Sequence, residues 1–184
     1  MRQVLLGAAV VAVMGLICVA ARADDLPPIV SGCKAEAVVP WPAAGEGYRA
    51  MAYTEGEDCA EAHLTLALVA PTDRALWQWD FGGAASVRAL YGVPNVVEME
   101  RALGAWLTQG SDKPTTSADL PAWADGAAAP EGFEPDAVLD RAGWEALRAA
   151  KRPLFCFADA PGFQTCVQLT IDENGAPIGR RAIR

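Results

Sequence analysis

Residues 154–183 read LFCFADAPGFQTCVQLTIDENGAPIGRRAI, three apolar runs separated by two groups of turn-forming residues. The turns DAPG at 159–162 and DENG at 172–175 carry the Asp, Pro, Asn and Gly residues that tight turns require. We therefore predict three consecutive antiparallel strands at the end of the chain, at 154–158, 163–172 and 176–183. Ile178 and Ile183 differ in parity, so the last strand is expected either to contain a bulge or to fray.

Three further strands are predicted nearer the start of the chain, at 48–54, 63–70 and 76–81. Clusters of turn-forming residues separate these runs. In the last run, Trp77, Trp79 and Phe81 fall on one face because side chains alternate along a strand. Such a row of aromatics either faces a hydrophobic core, which is its commoner position, or forms a flat platform for sugar rings or a partner.

Between these two groups of strands, the apolar residues change to the period of a helix. Asn95 can cap a helix over 95–108, because its side chain accepts a hydrogen bond from an orphan N–H of the first turn. Asp140 can cap a second helix over 141–151 in the same way. Pro153 ends that helix, since the residue before a proline avoids the helical conformation.

The connection between the two helices, residues 110–135, is rich in Ser, Thr, Pro, Ala, Gly and acidic residues. It is longer than ordinary connections, so we expect it to be a lid, a binding loop or an extra length of chain without a role of its own. The order of the elements predicts one α+β domain over residues 24–184. We expect a single antiparallel sheet of five or six strands, in the order β-β-β-α-α-β-β-β, with both helices packed on one face.

Residues 1–23 are predicted to be a signal peptide that is cleaved after Ala23. They have a basic start with Arg2, an uncharged apolar run at 4–21, and the small pair Ala21 and Ala23 before the expected cut. The alternative is an uncleaved membrane anchor, because the apolar run approaches the length of about 20 residues that a span needs. A composition rich in Ala, Gly and Pro is typical of a GC-rich bacterial genome, which makes the periplasm the expected destination.

The charge balance limits the classes of partner. Loss of Arg2 and Arg22 with the signal peptide would leave 13 basic and 23 acidic side chains, a net charge of −10. Neutralising phosphates needs clustered Lys and Arg, so nucleic acid and anionic membrane surfaces are not expected as partners. Outside the signal peptide, no apolar stretch of the sequence approaches membrane-spanning length.

Four cysteines remain once Cys18 leaves with the signal peptide, an even number in a chain bound for an oxidising compartment. Two disulfides are therefore predicted. Of the three possible connectivities we favour Cys33–Cys59 with Cys156–Cys166, because each pair closes a local loop. The turn at 159–162 also places Cys156 opposite Cys166.

His63 is the only histidine in the sequence, so no site with several histidine ligands exists. Its neighbours in sequence include Cys59 and the acids Glu57, Asp58 and Glu61. These residues have the spacing to gather around a metal ion or a reacting group, but an oxidised cysteine beside an acidic surface turn is the commoner arrangement. We predict no metal and no cofactor.

Three isolated aromatics are the candidate binding residues: Trp41 between two prolines, and Trp123 and Phe133 in the connecting stretch. Each either packs its segment onto the domain or contacts a partner. The absence of a recognisable catalytic set favours a non-enzymatic binding or accessory protein of the cell envelope, with an envelope protein or a cell-wall component as partner. The alternative is a small hydrolase that works through paired carboxylates.

Overall fold

The computed structural model describes residues 32–109 and 114–183. The predicted signal peptide at 1–23 lies outside the described residues. So do residues 110–113 of the predicted connecting stretch. Within the described part, the chain forms two four-stranded antiparallel sheets and two α-helices.

The first sheet follows the chain in the order β1-β2-β3-β4. Its strands are β1 Ala35–Pro40, β2 Arg49–Glu55, β3 His63–Val69 and β4 Ala75–Asp80. The second sheet has the order β5-β8-β7-β6. Its strands are β5 Phe133–Pro135, β6 Leu154–Ala160, β7 Phe163–Leu169 and β8 Gly175–Ala182.

The two helices begin at the predicted caps. Helix α1, Val96–Thr108, is capped by Asn95, whose side chain accepts a hydrogen bond from the backbone N–H of Glu98 at 3.0 Å. Helix α2, Arg141–Ala150, is capped by Asp140, whose side chain accepts from the backbone N–H of Gly143 at 2.8 Å. The local sequence signals for helix starts are thus confirmed.

The prediction of a mixed α+β fold is confirmed, but the predicted single sheet of five or six strands and its order of elements are wrong. The order along the described chain is β-β-β-β-α-β-α-β-β-β, divided between two sheets. Strand β1 lies in a region for which no strand was predicted, and the three-residue β5 lies within the predicted connecting stretch. Which strands pair is decided by contacts between distant residues, and local patterns do not carry that information.

The two helices pack in different places, not together on one face. Helix α1 contributes Met99, Leu103 and Trp106 to the larger hydrophobic cluster, which joins the two sheets. Helix α2 contributes Trp144 and Leu147 to a smaller cluster on the other side of the second sheet. The second sheet is therefore buried on both of its faces.

Strand β6 shows the effect of this double burial. Phe155 and Phe157 belong to the larger cluster, whereas Leu154 and Cys156 belong to the smaller one. A strand covered on both faces needs an uninterrupted apolar run instead of an alternating one. The sequence LFCF at 154–157 satisfies that requirement.

Both predicted disulfides are confirmed. Cys33 and Cys59 are bonded across 26 residues, and Cys156 and Cys166 across 10 residues. Cys156 and Cys166 are also register partners in the β6–β7 pair. Of the two alternatives for the last strand, a bulge or fraying, the bulge is present as a register shift between Cys166 and Val167 where β7 meets β8. The disulfides are compatible with an exported protein.

Among the described residues, neither helix has the length and apolar character that crossing a bilayer requires.

Candidate binding cleft

A cleft of about 230 Å³ lies between the edge strand β4 and the second sheet. We call it the aromatic cleft. One wall is aromatic and the other is polar. The residues that define the aromatic wall are Trp77, Trp79 and Phe157, and those that define the polar wall are Asp136, Asp159, Thr165 and Arg180.

The aromatic wall is built from the Trp-x-Trp sequence of β4. The rings of Trp77 and Trp79 have centroids 6.1 Å apart and planes within 15° of each other. Trp77 also contacts Phe157 of β6, with centroids 5.8 Å apart. Trp79 is 52% exposed although it lies on the face of β4 that points towards the core. Trp77 covers one side of Trp79, and about half of the Trp79 side chain is left open at this edge of the sheet.

Phe81, the third aromatic of the row, has a different position. Its ring packs edge-on against Trp106 of α1 at 5.5 Å and against Phe157 at 5.9 Å. The row therefore combines the two arrangements considered from the sequence. Its inner end packs in the core, while its outer end presents an aromatic surface.

Two glycines allow the walls to approach each other. A Cβ atom at Gly175 would lie 2.2 Å from the Cβ atom of Trp77, so only glycine lets β8 begin directly behind this ring. Gly179 has φ +131° and lies against β5, where a Cβ atom would be 2.2 Å from the carbonyl oxygen of Glu134. This close crossing brings Asp136 to the cleft, where its backbone N–H donates to the carbonyl of Ile178 at 3.0 Å.

The polar wall is centred on Asp159. Its Oδ2 atom accepts a hydrogen bond from the hydroxyl of Thr165 at 2.9 Å and lies 2.9 Å from Nε of Arg180. The guanidinium of Arg180 also lies over the ring of Phe163, 4.9 Å from its centroid, at a distance typical of a cation–π contact.

Hydrogen bonding in the polar wall is incomplete. Asp159 Oδ1 and Arg180 Nε are both buried, and neither has a hydrogen-bond partner among the described residues. The Arg180–Asp159 contact is close enough for an ion pair, but it lacks the alignment of a hydrogen bond. A buried polar atom without a partner costs about 1–3 kcal/mol, so this wall has an unused acceptor and an unused donor.

Trp41 and Phe133, two of the predicted binding residues, are buried. Trp41 is 3% exposed, and its Nε1 donates to the carbonyl of Leu154 at 3.0 Å. Phe133 is 4% exposed and lies on β5 against Trp144, with centroids 4.8 Å apart. These positions favour the packing alternative over contact with a partner.

Trp123 is half-buried and lies apart from the aromatic cleft. Its Nε1 donates to the carbonyl of Ala127, and its backbone N–H donates to Oε1 of Glu145 on α2, each at 2.9 Å. These contacts hold the connecting stretch against α2. A binding role for Trp123 stays a prediction.

The contact between Trp123 and Glu145 is expected to make this stretch sensitive to acid. The hydrogen bond from the Trp123 backbone N–H, with a further one from Arg148, lowers the pKa of Glu145 below its ordinary value of 4.5. A carboxyl group whose pKa is lower in the folded protein than in the unfolded chain stabilises the fold at pH values above its ordinary pKa. This stabilisation is lost as the pH falls through the lowered pKa. We expect the protection of the Trp123 amide against hydrogen exchange, corrected for the intrinsic pH dependence of exchange, to fall as the pH drops through the lowered pKa of Glu145.

The control is Glu145→Gln, which retains an oxygen acceptor but does not titrate. In this variant the protection of the Trp123 amide, corrected for the intrinsic pH dependence of exchange, should not change across the same range. An equal acid response in the wild type and the variant would show that Glu145 is not its origin.

The acids Glu57, Asp58 and Glu61 lie in an exposed turn, and His63 begins β3 directly after it. His63 Nδ1 is 3.9 Å from Oδ1 of Asp80, and both side chains are largely exposed. Oδ1 of Asp58 accepts from the backbone N–H groups of Ala60 and Glu61 at 2.9 Å each, which shapes the turn. In residues 32–109 and 114–183, no group of three or more His, Cys, Asp or Glu side chains is placed to hold a metal ion.

A larger depression of about 530 Å³ lies between the segment that follows Pro114 and the ends of β5 and β8. Of the two carboxylates that line it, Asp119 and Glu131, Asp119 already accepts hydrogen bonds from the backbone and side chain of Thr116, and these lower its pKa. Its one aromatic lining residue, Phe133, is buried. We therefore place the candidate site in the smaller aromatic cleft, which has an exposed aromatic ring and unused polar atoms.

The fold and the cleft define an α+β domain of two antiparallel sheets, joined by a common core, with a ligand-sized aromatic cleft at one edge. Comparisons with models of protein families, with curated proteins and with solved structures found no match to this chain.

Proposed function

We propose that this chain is an exported, non-enzymatic binding or accessory protein of the cell envelope, and that its ligand occupies the aromatic cleft. The observation that carries the proposal is the position of a half-exposed Trp79 beside a buried, unsatisfied Asp159 oxygen. Ligand sites typically combine apolar and aromatic walls with a few convergent polar groups. The predicted signal peptide and the two disulfides support a periplasmic location.

The size of the cleft favours a cell-wall component over a folded protein as the partner. Its volume of about 230 Å³ accommodates one ring or a short chain segment. A specific protein interface usually buries about 800 Å² on each partner, which requires a much broader surface. A protein partner is therefore the other outcome to be tested.

Replacing Trp79 by alanine is expected to weaken binding at least about tenfold, because buried aromatics contribute most to binding free energy at interfaces. The fold should be retained, since Trp79 is half exposed. Binding can be measured by sedimentation of the purified protein with the insoluble envelope fraction of its own host. Thermal unfolding of each variant monitors the fold.

The matched control is Tyr91→Ala, which removes an aromatic ring that is 76% exposed and lies outside the cleft. It should bind like the wild type. Trp123→Ala, tested beside it, examines the separate prediction that the connecting stretch contacts the partner. Sedimentation of Trp79→Ala that equals the wild type would exclude the cleft as the ligand site.

A second candidate is the carboxylate-dependent hydrolase, because two aspartates, Asp136 and Asp159, line the same cleft. Hydrolysis of a glycosidic bond commonly uses such a pair as acid and base or nucleophile. Asp159, however, already interacts with Thr165 and Arg180, which favours a binding role. Release of reducing ends from envelope material by the wild type, lost in Asp136→Asn while binding is retained, would favour the hydrolase.

A further inference from the structure

We propose that the ligand of the aromatic cleft is a neutral sugar ring, packed with its C–H face on Trp79 and hydrogen-bonded through its hydroxyls to Asp159 and Arg180. This inference rests on the binding function proposed above and adds the chemical class of the ligand. It is drawn from the shape of the aromatic wall, the two unused polar atoms, the charge of the cleft and its volume.

The aromatic wall suits a flat ligand that is apolar on its face and polar at its rim. The nearly parallel indoles of Trp77 and Trp79 form a rigid surface, and half of Trp79 is open. Aromatic side chains supply large contact area at small cost in conformational entropy. A six-membered sugar ring matches this surface because its axial C–H groups contact the indole while its hydroxyls point outward.

The polar wall offers an acceptor and a donor side by side. Oδ1 of Asp159 is a buried acceptor, and Nε of Arg180 is a buried donor, both without hydrogen-bond partners in the described part of the chain. A sugar hydroxyl donates one hydrogen bond and accepts others, so two adjacent hydroxyls can satisfy both atoms. Each of the two atoms would then gain a hydrogen bond that it lacks in the empty cleft, in addition to the ion pair between Arg180 Nε and Asp159 Oδ2.

The charges of the cleft favour a neutral ligand. An anion would approach Asp136 and Asp159, and the acidic chain as a whole also repels it. A cation would approach the guanidinium of Arg180, which already lies beside Asp159 and over the Phe163 ring. A neutral polyhydroxyl compound uses both kinds of side chain without an unpaired charge.

The volume supports one ring at a time. The cleft, at about 230 Å³, is below the range of about 300–1,000 Å³ that is typical of sites for drug-sized ligands. Trp79 stands at its exposed side, so the neighbouring rings of a glycan chain can continue into solvent. The class of ligand is thus a glycan of neutral sugars that is bound through a single ring.

The test is a titration of the ¹⁵N-labelled protein, purified after export, with cellotriose, maltotriose and the trimer of N-acetylglucosamine. The indole N–H signals report the six tryptophans separately. We expect at least one sugar to shift the signals of Trp77 and Trp79, and to leave those of Trp106 and Trp144 in place. Each sugar is raised to about 50 mM, which would fill a site with a Kd of about 1 mM.

Asp159→Asn tests the hydrogen bonds separately from the stacking. It keeps the size of the side chain but removes the charge of the acceptor, and we expect sugar affinity to fall at least tenfold. Asp172→Asn, in the exposed turn between β7 and β8, is the matched control and should leave affinity unchanged. An affinity in Asp159→Asn equal to that of the wild type would overturn the assignment of this carboxylate.

The sugar inference and the binding function fail in different ways. If Trp79-dependent sedimentation with the envelope fraction is observed but none of the three sugars shifts Trp77 or Trp79, the ligand is of another class and the sugar inference is wrong. If the protein neither sediments with the envelope nor responds to the sugars, the proposed binding function fails as well. Sugar shifts confined to Trp77 and Trp79 support both.

Discussion

Replacing Gly179 by alanine is expected to lower the free energy of unfolding by about 3–5 kcal/mol. The φ of Gly179 is +131°, a backbone conformation that L side chains rarely adopt. The added Cβ atom would also lie 2.2 Å from the carbonyl oxygen of Glu134 and 2.8 Å from Cα of Pro135. Both are backbone atoms of β5, so a change of side-chain rotamer cannot relieve the clash. Strand β5 would have to move away from β8.

Urea unfolding measures this effect, and Gly104→Ala provides the control. Gly104 lies within α1, where a Cβ atom would meet nothing within 4 Å. Alanine there should stabilise the protein by about 0.5–1 kcal/mol, because glycine loses more conformational freedom than alanine when a helix forms. If the two substitutions change stability equally, the close crossing of β5 and β8 is not a constraint on the fold.

Removal of both disulfides is expected to cost about 6 kcal/mol, about 3 kcal/mol for each bridge. The bridges close loops of 26 and 10 residues, and the cost arises mainly from the greater freedom of the unfolded chain. Domains of this size have a total stability of about 5–15 kcal/mol. The protein without either bridge should therefore be close to its unfolding limit at growth temperature.

The measurement uses paired alanine variants, because all four cysteines are buried and reductants reach them slowly. Cys33→Ala with Cys59→Ala removes one bridge, and Cys156→Ala with Cys166→Ala removes the other. Each pair should lower the midpoint of thermal unfolding, and the two losses should add when combined, since the bridges close separate loops and belong to different hydrophobic clusters. Losses well below 1 kcal/mol for either pair would contradict the expected contribution of that bridge.

The parts of the fold that could be predicted are those with local causes. The caps Asn95 and Asp140 act on N–H groups three residues away, so the sequence alone locates both helix starts. The register of β6 and β7 follows from the turn around Pro161, and it correctly places Cys156 opposite Cys166. These interactions all join residues that are close along the chain.

The division into two sheets could not be predicted, because it depends on contacts between distant segments. Strand β1 alternates small alanines with Glu36 and Val38, a weak pattern that includes proline only at its end. Trp41 resembled an exposed recognition residue because it lies between prolines. In the structure its indole N–H instead donates a hydrogen bond to the carbonyl of Leu154, which is 113 residues away in the sequence.

The binding residues predicted from the sequence, Trp41, Trp123 and Phe133, do not line the aromatic cleft. The Trp-x-Trp sequence of β4 indicates two side chains on one face, and a platform for sugar rings was one of the two interpretations. The polar half has no local signal, since Asp136, Asp159 and Arg180 come from three separate segments. They come together only because the second sheet packs against β4, and no motif in the sequence predicts that contact.

Because the walls of the aromatic cleft come from both sheets, the cleft exists only while the sheets are docked through their common core. A compound that occupies it binds the native state and not the unfolded chain. By mass action, such a compound raises the stability of the whole domain in proportion to the logarithm of its concentration. Trp77 lines the cleft and also packs against Gly175 of the second sheet. Binding of a ligand and docking of the two sheets are therefore coupled equilibria.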